Sequence, residues 1–171
     1  MFKNLKQKSF RKQTERNLKN RDFSTRNTPL KTLGFLIDEE KFQDFEALYD
    51  FSETLGIQRK DVKLFCFVEY QKKAPSLRQN QINNKDFSWK GEITNQNAKE
   101  FLEIPFDVLI GFYKDKNEFL DLMASSSSAR FKVGIAGVDD RLYDLILSVN
   151  PYNVDSFKNE LKKYLRVLNK I

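Results

Sequence analysis

From Phe106 to Tyr113 the apolar positions run almost unbroken, interrupted only by Asp107 and Gly111. That is the pattern of a strand covered on both faces. Asn117 to Ala124 then carries an apolar stripe of helical period, and Arg130 to Ala136 returns to a strand pattern. Strand, helix and strand in succession predict a βαβ unit in the middle of a parallel or mixed sheet.

The chain before it repeats the theme. Lys31 to Asp38 predicts a strand with Leu33, Phe35 and Ile37 on one face. Asp38 is placed to cap a helix running to about Leu55, with Glu39 and Glu40 in its first turn, where the helix dipole favours acids. Phe42, Phe45, Leu48, Tyr49 and Leu55 form its inner stripe, and Gly56 supplies the stop. Asp61 to Tyr70 predicts the second strand. Residues 71–86 have no period and predict a long surface loop. Phe87 to Thr94 alternates and predicts a short edge strand, and Asn97 to Glu103 a short helix ended by Pro105.

After the central unit, in which Asp115 and Glu118 have capping-box-like spacing, Ser125–Ser128 reads as a connector. Leu142 to Val149 predicts a further strand, broken by Asn150-Pro151. A last helix starts near Asn153 or Asp155, with Phe157, Leu161, Leu165 and Leu168 on one stripe. The order predicts a three-layer α/β domain with a Rossmann- or flavodoxin-like, mostly parallel sheet. The closing strand-strand-helix leaves room for an antiparallel edge strand. Residues 1–27 are polar, basic and free of Gly and Pro, and predict a helix closed by Thr28-Pro29. The expected organisation is a basic helical arm over residues 1–29 and one α/β domain over residues 30–171.

Composition narrows the chemistry. With 40% hydrophobic residues and 16 Phe in 171 residues, the chain can bury a real core. It has no histidine and one cysteine, Cys66, inside a predicted strand. That removes any Ser-His or Cys-His pair, makes a zinc site untenable and rules out an internal disulfide. No catalytic residue, metal or cofactor is assigned. The start lacks the apolar core of a secretory signal, and no run approaches the roughly 20 apolar residues of a membrane span. A cytoplasmic location is expected.

Charge is uneven. Residues 1–31 hold ten Lys/Arg against Glu15 and Asp22, a net of +8, while the remainder holds 20 basic and 22 acidic side chains, a net of −2. Basicity therefore belongs to the arm. Lys3, Lys6, Lys8, Arg11, Lys12, Arg16, Lys19, Arg21 and Arg26 are the candidate nucleic-acid or acidic-surface contacts, able to track phosphates in a salt-sensitive way. Phe2, Phe10 and Phe23 could stack on unpaired bases. RNA or a ribonucleoprotein, an acidic protein or membrane surface, and a merely solvated helix packed on the domain are the three readings.

A second candidate site follows from the sheet, since such folds bind ligands beyond the carboxyl ends of the strands. Asp38, Tyr113, Lys114, Gly137, Asp139 and Asp140 fall there. Helix caps account for Asp38 and Asp115, and turns for Asp139 and Asp140, more readily than a ligand site does. No Gly-x-Gly-x-x-Gly follows the first strand and no Walker motif is present; Gly134-Ile-Ala-Gly137 is a lone Gly-x-x-Gly.

Two resemblances add to this. Phe87-Ser-Trp-Lys-Gly, Pro105-Phe-Asp-Val-Leu-Ile, Ala129-Arg-Phe-Lys-Val-Gly134, Asp140-Arg-Leu-Tyr-Asp-Leu and Tyr164-Leu-Arg-Val-Leu-Asn-Lys-Ile171 together resemble an uncharacterised family of small flavobacterial proteins. That resemblance covers essentially the whole chain and implies a bacterial cytosolic protein. Phe106-Asp-Val-Leu-Ile, the following helix and Ala129-Arg-Phe-Lys-Val-Gly134 are similar to a segment in the N-terminal domain of heptosyltransferase-like enzymes, whose nucleotide-sugar-binding domain is missing here. This second resemblance implies a fold. The expected function is a non-catalytic binding protein whose basic helix docks on RNA or another acidic surface. The alternatives are an enzyme or sensor for a nucleotide or sugar phosphate at the strand ends, and a protein-interaction module built on the 71–86 loop.

Overall fold

The computed structural model describes residues 2–171, Phe2 by its backbone alone. Six strands form one sheet: β1 (Leu33–Asp38), β2 (Val62–Val68), β3 (Gln81–Asn83), β4 (Val108–Phe112), β5 (Lys132–Ile135) and β6 (Leu145–Leu147). Their spatial order is β3-β2-β1-β4-β5-β6, and every neighbouring pair is parallel. The α/β expectation stands: this is an open, all-parallel, Rossmann-like sheet, preceded by a helix. No antiparallel edge strand is formed among the described residues. The chain returns from β5 to β6 through a 3-10 turn at Asp140–Leu142, and Tyr143 then lies across the sheet. A Cβ on Gly134 would stand 2.5 Å from the Tyr143 ring, so glycine there makes room for it.

Five helices cover the sheet: α1 (Phe2–Asn20), α2 (Phe45–Thr54), α3 (Gln96–Glu103), α4 (Glu118–Ser126) and α5 (Val154–Val167). Alternation along β1 divides the core. Leu33, Phe35 and Ile37 face α2 and α5, where Leu48, Phe51, Phe157, Leu161 and Leu165 are buried. Leu36, with Phe65, Phe67 and Leu109, faces α3, α4 and α1, where Ala98, Phe101, Leu120, Met123 and Phe10 are buried. The basic N-terminal helix thus contributes a side chain to one of the two core layers.

Several boundaries differ from expectation. α2 begins at Phe45, capped by Asp44, whose carboxylate accepts from the Ala47 N–H at 3.3 Å. Asp38 instead turns the chain: its carboxylate accepts from the Glu40 N–H and its carbonyl from the Lys41 and Phe42 N–H groups. That turn drops Phe42 into the core against Phe112, ring centroids 4.8 Å apart. Asn117, not Asp115, caps α4, accepting from the Phe119 and Leu120 N–H groups; Asp115 is left-handed, with φ +65°. α1 stops at Asn20, eight residues before Thr28. Ser125 and Ser126 belong to α4.

The largest exchange concerns residues 71–94. β3 lies inside the stretch read as a loop, while Phe87–Thr94 is no strand: it makes one isolated antiparallel bridge, Phe87 to Ile93, around a tight turn. A three-residue strand offers too few positions for alternation, and only Ile82 in it is buried.

Candidate functional site

α1 is fastened along its length. Phe10, 3% exposed, packs between Phe87 and Phe119, with ring centroids 5.8 and 5.6 Å away. Two turns further on, Asn17 donates through Nδ2 to the Ser125 and Ser126 hydroxyls, both at 3.0 Å. Just past the helix, the Arg21 guanidinium grips both oxygens of Asp144 at 2.9 and 2.5 Å, with the two side chains only 7% and 6% exposed. A fork-to-fork pair of this kind fixes direction as well as distance. Lys170 closes the segment by donating to the carbonyls of Arg26 and Thr28.

Fixing the inner face of α1 also fixes what its outer face presents. Lys8, Arg11, Lys12, Arg16 and Lys19 are all exposed, as is Lys3 near the start. At 3.6 residues per turn those five share one outward arc, interrupted by Glu15, which pairs with Arg141 at 2.7 Å. None of the five has an acidic partner among the described residues. The remaining candidates sit apart from the arc. Lys6 is half-buried over the Phe10 and Phe119 rings, Arg21 is held by Asp144, and Arg26 stacks with Arg21 around exposed Phe23. Phe10 is buried, so it offers no face to a base; the Phe2 side chain lies outside the described residues.

The strand-end candidates do not converge on one pocket. Asp38 ends β1 in a loop that also carries Glu39, Glu40 and Asp44 against Lys41, with no glycine to bring backbone N–H groups to a phosphate. Burial pushes the Asp38 carboxyl up. Phe42, Phe112 and Tyr152 fill the space between the ends of β1 and β4, where such sheets usually take ligands. Lys114 is exposed on the β4–α4 loop. Gly137, with φ +102°, faces Asp115, whose carboxylate lies 3.2 Å from where a Cβ would be. Asp139 starts the 3-10 turn and is bound by Arg141 through its N–H and guanidinium, which holds its carboxyl low. Asp140 is exposed in the same turn.

Tyr113 is buried and acts beneath the surface. Its hydroxyl donates to Asp121 Oδ1 at 2.6 Å and lies 2.6 Å from the Tyr143 hydroxyl, which is left to donate to it. Asp121 is 6% exposed, and its Oδ2 has no partner. Burial pushes its carboxyl up to about 6. A cleft of about 470 Å³ opens above it, walled by Arg11 and Glu15 of α1, Lys116, Asp139 and Arg141. Beyond α4, Lys132 is buried in β5, donates to the Ala124 carbonyl at 2.6 Å, and is pushed down to about 7 by burial. Sequence reasoning passed over both. The signal that could have found them was a charge inside an apolar run: Leu120-Asp121-Leu122 and Phe131-Lys132-Val133.

Cys66 is buried in β2, and burial pushes its thiol up to about 12, so it carries no thiolate at neutral pH. Among the described residues no three metal-binding side chains converge, and no helix is long and apolar enough to cross a membrane.

Compared with known protein families, residues 6–168 match a family of unknown function, DUF6913. No curated protein and no solved structure matches the chain, heptosyltransferases included.

Proposed function

We propose that the chain, which belongs to the DUF6913 family, is a binding protein that holds RNA, alone or in a ribonucleoprotein, on the outward arc of α1. The observation that carries this reading is the set of five exposed cations, Lys8, Arg11, Lys12, Arg16 and Lys19, on a helix whose other face is locked into the domain. A rigid row of cations without acidic partners meets a polyanion with little loss of backbone freedom, and affinity then comes from counterion release. The reading implies a cytoplasmic protein, as expected for the resemblance to bacterial sequences. An acidic protein surface offers the same charge with far lower linear density, and so ranks behind RNA.

The test is a charge reversal that leaves the inner face alone. Lys8→Glu, Lys12→Glu, Arg16→Glu and Lys19→Glu together should abolish binding of a homopolymeric RNA, while circular dichroism and melting temperature hold. In the unmodified protein, log affinity should fall with log salt at a slope of about 0.7 for each phosphate that the helix neutralises. Binding that is absent in the unmodified protein, or unchanged by the reversal, ends this reading.

A second reading has its own observation, the buried and unpartnered Oδ2 of Asp121 at the floor of the cleft. A sugar or sugar phosphate would donate a hydroxyl to Asp121 and set its phosphate toward Arg11 and Lys116. Thermal stabilisation by such a ligand, lost in Asp121→Asn, supports it; a panel of sugar phosphates that moves the melting temperature nowhere removes it.

A further inference from the structure

The feature that the basic arc leaves unexplained is Trp89. It is the only tryptophan in the chain and is 58% exposed, well above the other exposed aromatics Phe23 and Tyr70. A single exposed ring is ordinary on a protein surface; this one is distinguished by the turn that holds it. Its position is fixed by the turn that carries it. The Gly91 N–H donates to the Ser88 carbonyl at 3.0 Å, the Ser88 N–H to the Glu92 carbonyl at 2.8 Å, and the Glu92 N–H to the Ser88 hydroxyl at 3.1 Å. Gly91 takes φ +82°. The turn is pressed onto α1: a Cβ on Gly91 would stand 3.2 Å from the Ser9 carbonyl oxygen and 3.4 Å from Gln13 Cβ.

That approach says which flank of α1 the 88–92 turn lies against. Residues three further along a helix are neighbours on its surface, so Lys12 and Arg16 are next to Ser9 and Gln13 on that flank, and both are exposed. Lys90 adds a third cation, its Nζ 5.4 Å from the centre of the Trp89 ring. An exposed aromatic ring with one cation against it is thus carried on a turn that abuts the basic helix. An unpaired base stacks on the ring while its phosphates meet the cations. A base inside a duplex presents no face to stack, whereas RNA loops and single strands do. A membrane would need apolar neighbours around the ring, and here they are Ser88, Lys90 and Glu92.

We infer that Trp89, with Lys12, Arg16 and Lys90, is a stacking platform that makes this surface select single-stranded RNA. The inference rests on the RNA reading of α1 and adds the partner's strandedness and the residue that reads it. Because Trp89 is the sole tryptophan, the intrinsic tryptophan fluorescence of the full chain comes from this residue alone.

The experiment titrates the full chain with a short oligouridylate, following tryptophan emission and, in parallel, the anisotropy of end-labelled RNA. Emission should be quenched along the same isotherm as the anisotropy rises, and salt should reverse both. Trp89→Phe should retain most of the affinity, and Trp89→Ala should lose about tenfold, with the melting temperature unchanged because the ring is exposed. If RNA binds with no change in emission and Trp89→Ala binds equally, the platform is overturned while the reading of α1 stands. If no RNA binds, both fall. Equal quenching by a fully paired RNA duplex, or a blue shift on anionic phosphatidylglycerol vesicles without quenching by RNA, also overturns it.

Discussion

Asp121 and Lys132 are both drawn toward neutral pH by the same cause, burial, one from below and one from above. The Asp121 carboxyl titrates near 6 in the folded chain against an ordinary 3.8, so the folded state holds its proton longer than the unfolded one. Its stabilisation is complete below about pH 4 and is lost as pH rises through 6. Lys132 titrates near 7 against an ordinary 10.5. Its stabilisation is present at high pH and is lost as pH falls from about 10 to 7, where the unfolded chain takes up the proton first. Urea unfolding across this range should separate the two. Asp121→Asn should remove a fall of about 3 kcal/mol between pH 4 and 6, since raising a carboxyl's titration by one pH unit is worth about 1.4 kcal/mol. Lys132→Met should remove a rise between pH 7 and 10. A difference between wild type and Asp121→Asn that stays flat from pH 4 to 6 would show that the carboxyl is not held as described. Arg21 and Asp144 form a buried ion pair. Arg21→Ala strands Asp144 in the interior and should cost about 3–5 kcal/mol, read as a lower urea midpoint.

At the scale of elements, α1 has two faces with separable consequences. Phe10→Ala opens a cavity between Phe87 and Phe119 and should cost about 3–5 kcal/mol. Lys12→Glu on the outer arc should change stability by less than about 0.5 kcal/mol. Thermal melts of the two variants check this; equal losses would mean that the outer arc is also packed. Tyr143 makes a matching prediction for the sheet. Gly134→Ala puts a methyl into the Tyr143 ring and should cost about 1–3 kcal/mol through overpacking. Gly134→Ala should cost less in a Tyr143→Leu background than in the wild type, measured in the same melts; an equal cost would mean that the ring is not what the glycine accommodates.

The same split shows how far elements could be read in advance. β1 and β4 were legible because burial on both faces writes a long apolar run or a clean alternation. α5 was legible because Phe157, Leu161 and Leu165 repeat at helical spacing and Asn153 caps it. β3 was illegible: Gln81-Ile82-Asn83 is too short to show a period, and its pairing with β2 is a long-range fact. The start of α2 was misjudged because Asp38 and Asp44 are both good caps, and the choice went to the one that lets Phe42 reach Phe112.

At the scale of the whole molecule, the charge asymmetry becomes a geometric one. Five of the ten cations in the first 31 residues, Lys8, Arg11, Lys12, Arg16 and Lys19, are presented on one outward arc, because Phe10, Asn17 and Arg21 dictate which side of α1 faces out. The acids Asp38, Glu39, Glu40 and Asp44 gather at the end of β1 instead. If α1 binds a polyanion as proposed, the acids at the end of β1 should keep it from that end of the sheet.

The amino-acid sequence by itself determined the α/β class, the lack of histidine and of any second cysteine, and the concentration of positive charge near the N-terminus. Those are properties of local period and composition, which no packing can alter. Only the tertiary structure decided the strand order, the docking of α1 and therefore which of its cations look outward. It also decided that Tyr113 and Asp121 meet below a cleft and that the turn carrying Trp89 is pressed onto α1. Each of these depends on residues far apart in the chain coming together, and such pairing leaves no trace in the spacing of either partner alone.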